Sequence, residues 1–142
     1  MTQRWIDVLS TAECHDFLAR ESLGRVAVSI GALPVILPVF YVSRERSIWF
    51  FTEDGTKLNA AVNNSIVAFE VDRVDEAGGW SVLVVGRCEE EHNGETIRQR
   101  RADGLADIVP GVRDHLIRVP LQQVSGRRFR TDGMLADRTG YA

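Results

Sequence analysis

The chain has 142 residues, is 44% hydrophobic and 26% charged, and carries a formal net charge of −3 at pH 7. These values exclude a disordered chain and argue against a general nucleic-acid binder, which is normally basic. The length suits one domain over residues 1–142, with a core that needs no disulfide or metal staple.

Ser10 to Arg20, "STAECHDFLAR", reads as a helix. Ser10 with Glu13 three residues later forms a capping box, and Gly24 is placed to supply a left-handed stop. Arg25 to Ile30 alternates as a strand, and Gly31-Ala32 is a tight connection. In Leu33 to Val42, "LPVILPVFYV", two prolines forbid a helix interior and suggest an edge or a bulge. Ser43 to Arg46 reads as a polar turn. Ser47 to Thr52 is a strand apolar on both faces, so both faces should be covered.

Lys57 to Val62 has helical spacing of Leu58, Ala61 and Val62, and Asn63-Asn64 ends it. Ser65 to Asp72 and Trp80 to Glu90 are further strands, with Gly86 as a bulge or a point of close approach. Glu95 to Asp103 is a polar helix, and Gly104 to Val112 is loop-like. His115 to Pro120 and Val124 to Arg130 are the last strands, followed by a polar tail over 131–142. Short strands adjacent in sequence favour an antiparallel sheet closed into a small barrel with helices at its ends. A doubly wound parallel sheet would need a helix after nearly every strand.

Cys14 and Cys88 lie far apart and outside any metal-binding spacing, so free thiols in a reducing compartment are expected. No apolar run approaches the ~20 residues that span a bilayer, and no signal-peptide pattern opens the chain. A cytoplasmic protein with neither membrane nor nucleic-acid partner is expected.

Three stretches carry candidate chemistry. In "EDGTKL" a glycine precedes Thr56 and Lys57 at a helix start, where a hydroxyl and an ammonium can meet a phosphate. The same residues also suit an ordinary capped helix, and both readings stand on local sequence. In "QQVSGRRFR", Arg127 and Arg128 project to opposite faces of a strand, one toward a cleft and one toward water. In "GGWSV", Trp80 is either core or a platform for a ring, with Ser81 beside it. The histidines His15, His92 and His115 sit in different elements without evident partners, and no triad or paired carboxylates stand out. An enzyme built this way would leave the hard chemistry to a cofactor.

Taken in order, "LGRVAVS", "LPVILPVFYV", "IWFFTEDGTKL", "WSVLVVGRCEE" and "RVPLQQVSGRRF" resemble the pyridoxamine 5′-phosphate oxidase-like flavin-binding family. The resemblance implies a mainly β, six-stranded antiparallel split barrel forming a homodimer, with flavin mononucleotide (FMN) at the subunit interface. It implies that Phe51 and Thr52 lie along the flavin ring and that Thr56 and Lys57 bind the phosphate. Pro38, Val39 and Phe40 would border the ring. Trp80 and Ser81 would approach from the partner subunit or the phosphate end, and Arg127 and Arg128 would complete the site. The vitamin-phosphate oxidase itself carries a C-terminal substrate signature that "DGMLADRTGYA" lacks, so a different small-molecule substrate is expected. Small members of the family include flavin-dependent reductases, proteins that use the deazaflavin coenzyme, and proposed haem binders. A deazaflavin tail would call on Arg44, Arg46, Lys57, Arg127 and Arg128.

Overall fold

The computed structural model describes residues 6–53, 55–63, 65–105 and 115–130. In chain order the elements are β1 (Ile6–Val8), α1 (Thr11–Arg20), β2 (Leu23–Ile30), β3 (Leu33–Phe40), β4 (Val42–Arg44) and β5 (Ser47–Thr52). Then come α2 (Lys57–Val62), β6 (Ile66–Val74), β7 (Gly78–Arg87), β8 (Glu89–Glu91), α3 (Gly94–Ala102), β9 (His115–Pro120) and β10 (Gln123–Arg130). The expected tail over 131–142 lies outside the described residues.

Two antiparallel sheets form a split barrel. One has six strands in the order β1-β10-β7-β6-β2-β3, and the other has four in the order β4-β5-β9-β8. Alternation of side chains places Val26, Val28, Val67, Phe69, Val71, Val82 and Val84 on the inner face of the larger sheet, all buried. Ile48, Phe50, Ile117 and Val119 meet them from the smaller sheet. All six residues of β5 are buried. Its other face, Trp49 and Phe51, packs with Leu105 and Leu116 in a second cluster that Ile97 of α3 joins. This is the two-sided cover that the unbroken apolar run of β5 requires.

α1 begins with the expected capping box, in which Glu13 N–H donates to Ser10 Oγ at 3.1 Å and Ser10 N–H to Glu13 Oε1 at 3.0 Å. The expected glycine stop is not used. Glu21 caps the helix in an extended conformation, and Gly24 is already in β2. Its reason for being glycine is space, because a Cβ there would sit 2.3 Å from Phe69 Cζ. The prolines of β3 lie on an edge strand, as their missing N–H groups demand.

The polar turn is shorter than the sequence suggests. Val42–Arg44 is strand, and the reversal is confined to Glu45 and Arg46, both at positive φ. The long strand ending at Glu90 breaks at Cys88, and β8 crosses into the smaller sheet. Gly86 marks the approach to that break, since a Cβ would lie 2.5 Å from the Pro120 carbonyl oxygen.

Tyr41 joins the layers. Its ring is buried edge-on against Phe69 at 4.8 Å, and its hydroxyl donates to the Leu18 carbonyl at 2.7 Å. Tyr41→Phe strands that carbonyl in the interior, and we expect a loss of about 1–3 kcal/mol in urea unfolding.

Candidate functional site

The seam between the sheets opens into a cleft of about 480 Å³. Pro38, Val39 and Phe40 from the end of β3, Phe51 and Thr52 from the end of β5, and Thr56 before α2 all line it. Six of the residues named from sequence are therefore brought together. Lys57 opens α2, and its side chain lies outside the described residues.

Five lining residues were missed: Leu23, Leu37, Glu53, Leu58 and Leu105. Leu23 pairs directly with Phe40 across β2 and β3, so knowledge of the hairpin register would have found it. Leu105, just after α3, gives no comparable local signal.

The loop after β5 is internally bonded. Thr56 Oγ accepts from Asn59 N–H at 3.1 Å and donates to the Glu53 carbonyl at 2.8 Å. The capping reading of Thr56 is thus realised. Buried Thr52 donates its hydroxyl to Asn59 Oδ1 at 2.8 Å, which fixes α2 against the strand end. The Phe51 ring is 9% exposed, and the Arg101 guanidinium lies 4.8 Å from its centroid. Thr56→Ala removes the cap, and we expect it to cost about 1 kcal/mol of thermal or urea stability.

Trp80, Ser81, Arg127 and Arg128 do not line this cleft. β7 and β10 pair so that Arg128 stands opposite Trp80 and Arg127 opposite Ser81. The first pair faces α1. Trp80 stacks on Phe17 with centroids 4.4 Å apart, and Arg128 Nη2 lies 3.3 Å from Glu13 Oε2. Gly126, on the same face as Arg128, would drive a Cβ into Cys14 Sγ at 2.7 Å. Ser81 and Arg127 therefore occupy the opposite, open face of the six-stranded sheet. The two-face expectation for the arginines holds, although both are exposed.

That open face is apolar for a solvent surface. Among the described residues eight large hydrophobics are exposed, and by register seven share it: Ile6, Val8, Leu23, Ile36, Ile66, Val74 and Leu83. Leu23, Pro38 and Phe40 belong both to this face and to the cleft, so the two are continuous.

The remaining candidates sort on chemistry. Both cysteines are buried and free. Burial pushes the Cys88 thiol up to about 12, and burial with neighbouring Glu13 raises Cys14, so both are packing groups rather than nucleophiles. The expectation that the histidines lack partners is corrected at His92, 3.8 Å from Glu90 Oε2, and more closely at His115. Its Nδ1 lies 2.9 Å from Glu90 Oε2, a contact across β8 and β9 that 25 residues of separation conceal. His115 stands opposite Thr52 in register, one strand from the cleft. None of Arg44, Arg46, Arg127 and Arg128 lines the cleft, and Arg44 is tied to Asp103 at 3.2 Å. No described helix is long and apolar enough to cross a membrane.

Two antiparallel sheets, split along one seam that opens as an apolar cleft, define a split-barrel protein. The chain belongs to the pyridoxamine 5′-phosphate oxidase-like family, whose profile matches residues 10–128. It is similar to the FAD-binding protein of Mycobacterium smegmatis, at 35% identity and a TM-score of 0.76, covering 87% of this chain and 97% of that one. It is also similar to an FAD-binding protein of Mesorhizobium loti, at 26% identity and a TM-score of 0.72, covering 87% and 96%. An uncharacterised protein of Mycobacterium tuberculosis is 34% identical over 85 residues, 60% of this chain and 77% of its own length.

Proposed function

We propose that the chain is a flavin-dependent oxidoreductase acting on a small molecule, with the flavin ring and ribityl phosphate in the seam cleft. The observation that carries this reading is the convergence of β3, β5 and the loop before α2 on one cavity of about 480 Å³. Its size falls within the range of cofactor sites, and its walls suit a flat ring. The FAD-binding descriptions of two relatives support the same reading.

Leu37, Val39 and Leu58 would hold the ring by apolar contact and exclude water, while Thr56 and Lys57 would face the phosphate. A bound flavin supplies hydride transfer at its N5, leaving the protein to bind, orient and desolvate.

We further propose a homodimer formed through the open face. That face carries both charge signs, Arg25 and Arg127 against Asp72, and so can complement a copy of itself. Because it runs into the cleft, an isologous pairing would carry Ser81 and Arg127 of one copy toward the other's flavin. Trp80 and Arg128 are left to pack α1.

Parallel titrations with FMN, FAD and the deazaflavin coenzyme separate the cofactors, and tighter binding of either flavin is expected. Tighter deazaflavin binding would reject the assignment. Reduction of the bound flavin by NADH or NADPH, with reoxidation over many cycles by an added acceptor, is the expected sign of an enzyme. Flavin that binds without turnover would make the chain a carrier or sensor.

A further inference from the structure

Glu70 lies in the middle of the open face, in the cross-sheet row Pro38, Arg25, Glu70, Leu83, Ser125. The row starts at the cleft wall. Each neighbouring element contributes differently. β2 supplies Arg25, β6 itself supplies Asp72 two residues along the same face, β7 presents uncharged Leu83, and β3 beyond Arg25 presents Pro38.

Arg25 Nη1 lies 3.8 Å from Glu70 Oε1 and 3.6 Å from Asp72 Oδ2, so one guanidinium is divided between two carboxylates. At 3.8 Å the first contact is an ion pair without a hydrogen bond. Glu70 Oε1 is buried and has no hydrogen-bond partner among the described residues. A carboxylate in that position is relieved most simply by a proton. Burial, and then the adjacent Asp72, raise the Glu70 pKa to about 7, with Arg25 opposing.

We propose that docking of a second copy on this face takes up a proton at each Glu70, so that the dimer and its flavin site tighten as pH falls through neutrality. This rests on the open-face dimer proposed above. The Glu70 side chain retains 37% exposure in the single chain. Covering it removes the remaining water, which disfavours the ionised form further. Protonated Glu70 favours the dimer, a contribution that is full below the single-chain value of about 7 and is lost as pH rises from there through the higher value in the dimer. Each additional unit of rise is about tenfold in affinity per Glu70, and two-fold symmetry counts it twice.

The test is the dimer dissociation constant of the full chain by sedimentation equilibrium, near pH 6 and near pH 8 at constant ionic strength. We expect it to be at least about tenfold lower at the acid end. Glu70→Gln, a neutral isostere, should be as tight at both values as the wild type is at the acid end. Asp72→Asn, by removing the neighbouring carboxylate, should move the wild-type transition to lower pH. Persistence of the pH effect in Glu70→Gln would assign it to another group and overturn the proposal. A wild-type dimer equally tight at both values, or tighter at the alkaline end, would overturn the linkage and leave the dimer standing. A monomer at every pH would overturn both.

Discussion

Phe69→Ala should lower the free energy of unfolding by about 3–5 kcal/mol, the largest single effect expected in the core. The ring is fully buried and stands where three pieces of chain meet. Tyr41 meets it edge-on at 4.8 Å, Val26 pairs beside it across β2 and β6, and Gly24 is fitted to its rim. None of these can follow a shrinking side chain. Strand backbone fixes Val26 and Gly24, and the hydrogen bond to the Leu18 carbonyl holds Tyr41. The cavity should therefore stay open, which puts the cost at the upper end for a lost aromatic ring.

The fit of Gly24 to the ring gives an internal control. Gly24→Ala places a methyl 2.3 Å from Phe69 Cζ and should destabilise the wild type. In the Phe69→Ala background the two ring contacts disappear and only the Glu70 carbonyl oxygen, at 3.1 Å, still crowds the methyl, so the two effects should be strongly non-additive. Urea unfolding of the four proteins measures this. Additivity, or a Phe69→Ala loss below about 1 kcal/mol, would contradict the packing described.

Arg127→Glu should weaken flavin binding by about tenfold or more, while Arg128→Glu should leave it nearly unchanged. The two residues are adjacent, equally charged and both exposed. They differ in face. Arg128 spends its charge on Glu13 beside α1, so reversing it costs only a surface pair. Arg127 stands with Ser81 on the face proposed to dock against a second cleft.

If the site is shared, defects on the two sides should complement. A chain with a damaged cleft, Phe40→Asp, bound to one carrying Arg127→Glu places one intact site in each heterodimer. Equal mixing of the subunits should restore about a quarter of the sites, counted by flavin bound per chain. Complete absence of recovery, with heterodimers verified by mass, would place Arg127 outside the shared site.

Local features were the legible ones. The capping box of Ser10 and Glu13, the edge position of a proline-bearing strand and the two-sided cover of β5 all follow from short-range patterns. The cleft residues from β3 and β5 were accessible because the family resemblance follows contiguous motifs. Long-range pairings were not. Nothing near His115 announces Glu90, and nothing near Gly24 announces Phe69, because each relation depends on which strands become neighbours. The alternation of Arg127 and Arg128 was legible, but their sides were not. Those are set by α1, which lies against Gly126 and Trp80 more than 60 residues from either in sequence.

The absorbance spectrum of freshly purified protein, followed by titration with FMN and FAD, tests the assigned cleft most directly. The structure and its family predict flavin bands in the visible, or saturable quenching of added flavin fluorescence, at one flavin per chain. Colourless protein that neither quenches nor saturates with either flavin would contradict the account.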